Sequence, residues 1–254
     1  VHSRTTPMST AKKKPPAESN DHVRRQWLLR VEAEYRSAVL TQELTLWLMQ
    51  AGASPDLLRD GLRIAEDELV HAELSMETYL AAGGDRGPTL ARETLALPRR
   101  AAEPLEHDIL RVGVDAFCLG ETVAVPLFKN LRDGCTVPVA RKALDRILRD
   151  EVRHRAFGWT LLEWLLESPS GPALRALVDR ELPGWFGRIR RCYAPAYAGK
   201  LDTVSDVDRA WGLMAPARYA AVVERTWERD WRPRFARLGV AADAAWEAAR
   251  SSRA

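Results

Sequence analysis

From His22 onward, apolar residues recur at three- and four-residue spacing, Trp27, Val31, Ala38 and Trp47 among them in residues 22–51. That stretch holds no Pro and is broken only by AGASP at 51–55, so it predicts a first helix. Ser54 is placed to cap a second helix and Pro55 suits its first turn. This helix runs to about residue 82 and stops at Gly83-Gly84. Residues 83–104 carry Gly83, Gly84, Gly87, Pro88, Pro98 and Pro104, too many breakers for a helix. A third helix is predicted over about 105–132, ending at Asp133-Gly134, and Pro138 opens a fourth that reaches about Glu167 before SPSGP. No stretch alternates with the period of a strand. Residues 172–250 read as helical too, with turns near 194–204 and Pro233 kinking or ending a helix. The expectation is an all-α chain: a tail over 1–21, a four-helix bundle over 22–167, and a helical extension over 168–254 packed on it. Short loop, long crossover and short loop is a recognised bundle connectivity.

The two hairpins repeat one another. Aligning Pro55 with Pro138 superimposes Ile64 on Ile147, Asp67 on Asp150, Glu68 on Glu151 and His71 on His154. Each copy therefore carries a Glu-x-x-His motif, whose carboxylate and imidazole leave the same helix face. Carboxylate with imidazole, and no thiolate, suits iron or manganese. Two such motifs, with one glutamate from each of two further helices, form the ligand set of di-metal helical bundles.

Helix three offers Glu121. It lies 13 residues before Gly134, while Glu151 lies 13 after Pro138, so both stand roughly 20 Å from the connecting turn. Phe117, Cys118 and Val125 flank Glu121, and an unpaired carboxylate among such residues is costly. Cys118 is read as a small buried hydrophobe facing the same interior. Helix one offers two candidates, Glu34 and Glu43. Counted back from Gly52 they stand about 27 Å and 14 Å away, against roughly 20 Å for Glu68 from Pro55, so spacing leaves them tied. An ion pair to Arg36 or Arg63 would also account for Glu34.

The stretches EYRSAVLTQELTLWLMQAGASPDLL, AEDELVHAELS, CLGETVAV and RILRDEVRHRAFGWTLLEWLL resemble the ferritin-like (rubrerythrin-related) superfamily. They are most similar to a group of bacterial ferritin-like domain proteins whose first helix has a Glu 18 residues before the turn Gly. Glu34 holds that position, and the resemblance selects it over Glu43. The implied metal ligands are Glu34, Glu68, His71, Glu121, Glu151 and His154. DEVRH at 150–154 resembles the Asp-Glu-x-Arg-His element of di-iron oxygenases and ribonucleotide reductase small subunits. By that likeness Asp67 supports His154, and Asp150 supports His71, each holding the imidazole of the partner helix. The chain departs from relatives by lacking a rubredoxin module, by having no third histidine at ligand spacing on helix four, and by continuing beyond the bundle. Tyr35 and Tyr79 are candidate neighbours of the site.

Composition narrows the partners. With a formal charge of +3 over 254 residues, and Lys and Arg alternating with Asp and Glu, the chain does not concentrate positive charge as nucleic-acid binders do. No apolar run is long enough for a transmembrane helix. Cys118, Cys135 and Cys192 are odd in number and form no CxxC pair, which suits free thiols and a cytoplasmic location. The resemblance implies an enzyme: a di-iron oxidase or oxygenase that activates O2 and oxidises a small-molecule or carrier-bound metabolite. It would take two Fe ions, with manganese or a mixed Mn/Fe pair satisfying the same ligands, and an external electron donor. A homodimer is compatible with this reading. The alternatives are a ferroxidase, peroxidase or metal-handling protein, and a structural helical protein stabilised by metal.

Overall fold

The computed structural model describes residues 18–193 and 203–251. Most of the expected tail, and most of the expected turn near 194–204, lie outside those residues. Among the described residues every regular element is helical. In chain order they are α1 (Asp21–Gln50), α2 (Pro55–Ala81), a single 3-10 turn (Arg92–Thr94), α3 (Leu105–Val112), a π-helical segment (Gly113–Glu121), α4 (Thr122–Gly134), α5 (Pro138–Glu167), α6 (Gly171–Tyr193), α7 (Asp206–Ala210), α8 (Pro216–Thr226), a second π-helical segment (Trp227–Trp231), α9 (Arg232–Arg237) and α10 (Ala242–Ser251).

The helix ends follow from the residues read in the sequence. Asn20 accepts from the backbone N–H of Val23 and Ser54 from that of Leu57, while Pro55 and Pro138 open their helices. Gly52 closes α1 with φ 74°, and Gly83 follows α2 with φ 84°, a left-handed conformation that glycine adopts without steric cost. The last residues assigned to the tail are anchored instead. Trp211 Nε1 donates to Glu18 O at 2.6 Å and Ser19 Oγ to Ala82 O at 2.6 Å, so the fixed chain begins before Asp21.

Helix α1 packs along α2, α2 along α5, and α5 along the first π segment and α4. Since Val112, Gly113, Glu121 and Thr122 all keep right-handed helical angles, Leu105–Gly134 is one continuous rod with wide turns in its middle. The sequence reading missed those turns and treated 105–132 as a plain α-helix. The crossover is pinned along α1: Thr89 N donates to Glu32 Oε1 at 2.9 Å, Arg36 Nε to Thr94 Oγ1 at 3.2 Å and Leu97 N to Glu43 Oε2 at 2.7 Å.

Helices α6 to α10 share one hydrophobic core with the helices before them. Trp231 Nε1 donates to Cys118 O, Trp27 Nε1 donates to Trp211 O, and Trp159 meets Phe235 edge to face. Pro233 does not end its helix. The backbone stays helical from Pro216 to Arg237, and the π segment at Trp227–Trp231 falls where the carbonyl clash with the proline ring would otherwise lie.

Helix α5 meets the first π segment most closely at Gly158, where a Cβ would stand 2.7 Å from Phe117 C and Cβ and 2.9 Å from Cys118 N. Backbone atoms cannot yield as a flexible side chain can. Gly158→Ala is therefore expected to destabilise the fold by about 1–3 kcal/mol, read as a lowered thermal midpoint. An unchanged midpoint would contradict this packing.

Candidate functional site

Glu34 on α1, Glu68 and His71 on α2, Glu121 at the end of the first π segment, and Glu151 and His154 on α5 converge on one point between the helices. One ligand atom each from Glu34, Glu68 and His71 lie within 4.8 Å of one another, and the same holds for Glu68, Glu121 and His154. Glu68 belongs to both groups. His71 Nδ1 stands 3.3 Å from Glu68 Oε2 and 4.0 Å from Glu34 Oε2. His154 Nδ1 stands 3.5 Å from Glu68 Oε1 and 3.8 Å from Glu151 Oε2. The imidazole centroids are 5.6 Å apart.

Helix rise explains this placement. Glu34 lies 16 residues before the end of α1 and His71 lies 16 after the start of α2, so they share a level. Ser37, three residues on, is level with Glu68 and donates to its Oε1 at 2.9 Å. The sequence reading compared Glu34 with Glu68, its partner's neighbour, and so found a mismatch that the fold does not contain. Glu43 points elsewhere and accepts from Leu97 N in the crossover. Arg36 is bonded to Thr94 and Arg63 is exposed, so neither forms an ion pair with Glu34.

The outward nitrogens of the two histidines meet the two aspartates in crossed fashion. His71 Nε2 is 3.2 Å from Asp150 Oδ2, and His154 Nε2 is 3.4 Å from Asp67 Oδ2. A carboxylate at Nε2 keeps a proton there and turns the Nδ1 lone pair toward the glutamates. Both aspartates are buried, and Arg146 and Arg153 each reach both of them. Burial alone would raise the Asp67 and Asp150 pKa values, but the hydrogen bonds from His154 and Arg153 to Asp67, and from Arg146 and His71 to Asp150, hold both below the usual range.

Electrostatics at the centre run the other way. Burial, and then the adjacent Glu68, pushes Glu34 well above the ordinary carboxylate range. Burial and neighbouring Glu121 do the same to Glu151, and burial raises Glu121. Although burial opposes a charge on Glu68, the two imidazoles hold it low. His154 would be lowered by burial, yet Asp67 and Glu68 push it up to about 10. Protons thus stand where a cation would. Two buried atoms at the centre, Glu151 Oε2 and His154 Nδ1, have no hydrogen-bond partner. Such orphans are rare in folded proteins, and a metal ion between them satisfies both. The donor set, four carboxylates and two imidazoles, fits iron or manganese.

All four glutamates line a cavity of about 400 Å³, walled also by Arg30, Ala33, Ala124, Phe128 and Tyr193. The histidines are fully buried behind it. Sequence reasoning missed Arg30, Ser37 and Tyr193. Arg30 could have been found, since it precedes Glu34 by four residues on one helix face. Tyr193 ends α6, and no local spacing ties it to the bundle. The tyrosines singled out lie elsewhere: Tyr79 OH accepts from Asp85 N and Arg86 N, and Tyr35 lines a surface groove with Leu46, Met49 and Leu69. Cys118 is buried but turned from the cavity, its thiol donating to Gly158 O at 3.2 Å. In a regular α-helix it would share a face with Glu121; the wide turns of Gly113–Glu121 separate the two. Cys118, Cys135 and Cys192 are all free thiols.

No family model, curated protein or solved structure matches this chain. The geometry carries the functional argument alone. No described helix is long and apolar enough to cross a membrane.

Two outcomes are expected. Asp67→Asn should weaken metal binding by about 10- to 100-fold through misorientation of His154, with the far-ultraviolet helical signal unchanged. Wild-type metal affinity in that variant would sink the assignment. Because His154 is pushed up to about 10, and burial among like charges raises Glu34, Glu121 and Glu151, a metal competes with protons for these ligands. Affinity should therefore rise with pH between about 6 and 8, with proton release seen by calorimetry in buffers of different ionisation enthalpy. PH-independent binding would contradict the proton-filled centre.

Proposed function

We propose that this chain is a non-haem di-iron oxidase or oxygenase that activates O2 to oxidise a small organic molecule. The observation that carries the reading is Glu68, which belongs to two ligand groups at once, beside a cavity that all four glutamates line. A carboxylate between two groups is what a metal-bridging ligand requires. On this reading Glu34, Glu68 and His71 would hold one ion, and Glu68, Glu121 and His154, with Glu151 beside them, the other. The all-helical architecture, with its long pinned crossover and its rod–α5 pair, supports a ferritin-like reading.

Held by these residues, an iron pair would supply redox and Lewis-acid chemistry toward O2, with electrons restored by an external donor. The protein's own residues set the conditions. Asp67 and Asp150 orient the imidazoles, and Arg146 and Arg153 keep those aspartates charged. Ser37 donates to one oxygen of Glu68 while the other faces His71 Nδ1, so both oxygens of the shared carboxylate are positioned. Ala33, Ala124 and Phe128 give part of the cavity an apolar wall that limits water. Tyr193, its phenol pushed above the usual range chiefly by burial and then by Glu121, keeps its proton at the cavity's edge. A metal held only for stability sits in a closed shell of ligands; here the glutamate side faces space for a reactant. A ferroxidase would use the same centre with iron itself as the substrate.

Protein produced with added iron should contain about two metal ions per chain. After anaerobic reduction it should consume O2 faster than an equal concentration of free Fe(II), and Glu68→Ala should abolish both properties. Metal below one ion per chain, or no O2 uptake by the reduced protein, would overturn the proposal. Turnover of many added Fe(II) per site, with mineral formed, would shift it to the ferroxidase.

A further inference from the structure

The cavity wall carries one feature that metal binding does not use. Arg30 lies one turn before Glu34 on α1, with its guanidinium carbon 4.5 Å over the Trp27 ring and 5.2 Å from the centre of the Phe128 ring. The two aromatic faces fix the plane of the group, as guanidinium–aromatic stacking does. No carboxylate of the described residues comes within 4.0 Å of it, and its Nη1 is buried without a hydrogen-bond partner. Burial, more than any other influence, lowers its pKa.

Charge makes this arginine conspicuous. Two divalent ions, on the di-iron reading, would balance Glu34, Glu68, Glu121 and Glu151, while Arg146 and Arg153 balance Asp67 and Asp150. Arg30 would then remain as a half-buried cation on the cavity wall, influenced by Glu34 but with no carboxylate of the described residues within 4.0 Å. A planar fork of donors held in place suits an oxyanion. Leu29, Ala33, Ala124 and Phe128 give that wall an apolar part, and its lining offers no second cation for another negative charge.

We propose that Arg30 binds the carboxylate of the substrate, and that the substrate is a small monocarboxylic acid whose apolar body lies between Phe128 and the metal centre. This rests on the di-iron reading, because the glutamates must be neutralised before an anion can enter. Arg30 selects and positions the acid and does not take part in the chemistry.

The test pairs a probe acid with its uncharged counterpart, octanoate with octan-1-ol, on metal-loaded protein, by calorimetry alongside metal analysis. Wild type should bind octanoate at least about tenfold more tightly than octanol, a preference of the size charged hydrogen bonds provide. Arg30→Gln should lose that preference while keeping its metal content, and Arg30→Lys, which keeps charge without the fork, should retain part of it. Should the Gln variant fail to fold, the Lys variant gives the same reading through partial loss. If metal-loaded wild type binds acid and alcohol alike, or Arg30→Gln binds octanoate as wild type does, the inference fails and the metal centre stands. Wild type that takes up no metal overturns the di-iron reading, and this inference with it. Loss of metal from Arg30→Gln would show instead that Arg30 only balances the glutamates.

Discussion

Four carboxylates within a few ångströms of one another, between helices and mostly out of water, set the terms for everything around them. Two unit charges 4 Å apart repel by about 4 kcal/mol even at an effective dielectric of 20, so the four cannot all be ionised unless something positive stands among them. The pKa directions record how the chain meets this without a metal: Glu34 and Glu151 are pushed toward the protonated form and His154 toward the charged form. A folded chain that gathers acids and then holds protons among them is already arranged for a cation. The proton pattern and the orphaned Glu151 and His154 atoms are two expressions of that arrangement.

The surrounding layers follow from the same constraint. The histidines need fixed rings, so buried aspartates meet their outer nitrogens; buried aspartates need cations, so Arg146 and Arg153 cover them at the protein's edge. Helix α5 carries Glu151, His154 and Asp150, and it must lie close to the rod that carries Glu121. Gly158 allows that approach one turn beyond His154, and the Trp159 indole donates to Thr122 Oγ1 at 2.9 Å to set the register. The wide turns before Glu121 aim its carboxylate at the centre while Cys118 is left to the core. Such π-helical turns cost hydrogen-bond geometry and persist most often at functional sites.

Much of this was legible in the residues. Helix breakers at Gly83-Gly84, Pro104, Gly134 and Pro138 mark the ends of the long helices within a residue or two, because those residues act locally. The twin Glu-x-x-His motifs could be read because i, i+3 geometry on a straight helix is fixed, while the crossed aspartate pairing came only from the resemblance of DEVRH to the element of di-iron oxygenases. What could not be read was non-local. Spacing left Glu34 and Glu43 tied until the resemblance selected Glu34; the physical reason, that the crossover draws Glu43 to the Leu97 N–H, was not in the sequence, and counting from the loop misjudged the level by comparing the wrong partners. The π turns leave no periodic signal distinct from an α-helix over nine residues. Tyr193 reaches the cavity from an element far along the chain, which composition and spacing cannot place.

The extension beyond residue 167 is therefore part of the site and not an appendage to it. Trp231 bonds to the Cys118 carbonyl inside the π segment, and Trp211 accepts from Trp27, whose ring lies beneath Arg30. These indoles couple the last third of the chain to the two features that distinguish this cavity from a bare metal-binding bundle: a glutamate delivered by a π turn and a guanidinium fixed between aromatic rings. A stable helical bundle needs neither. Helices α6 to α10 help hold both that glutamate and that guanidinium in place, which supports the proposal that the cavity pairs a wall with an anchor beside the carboxylate centre.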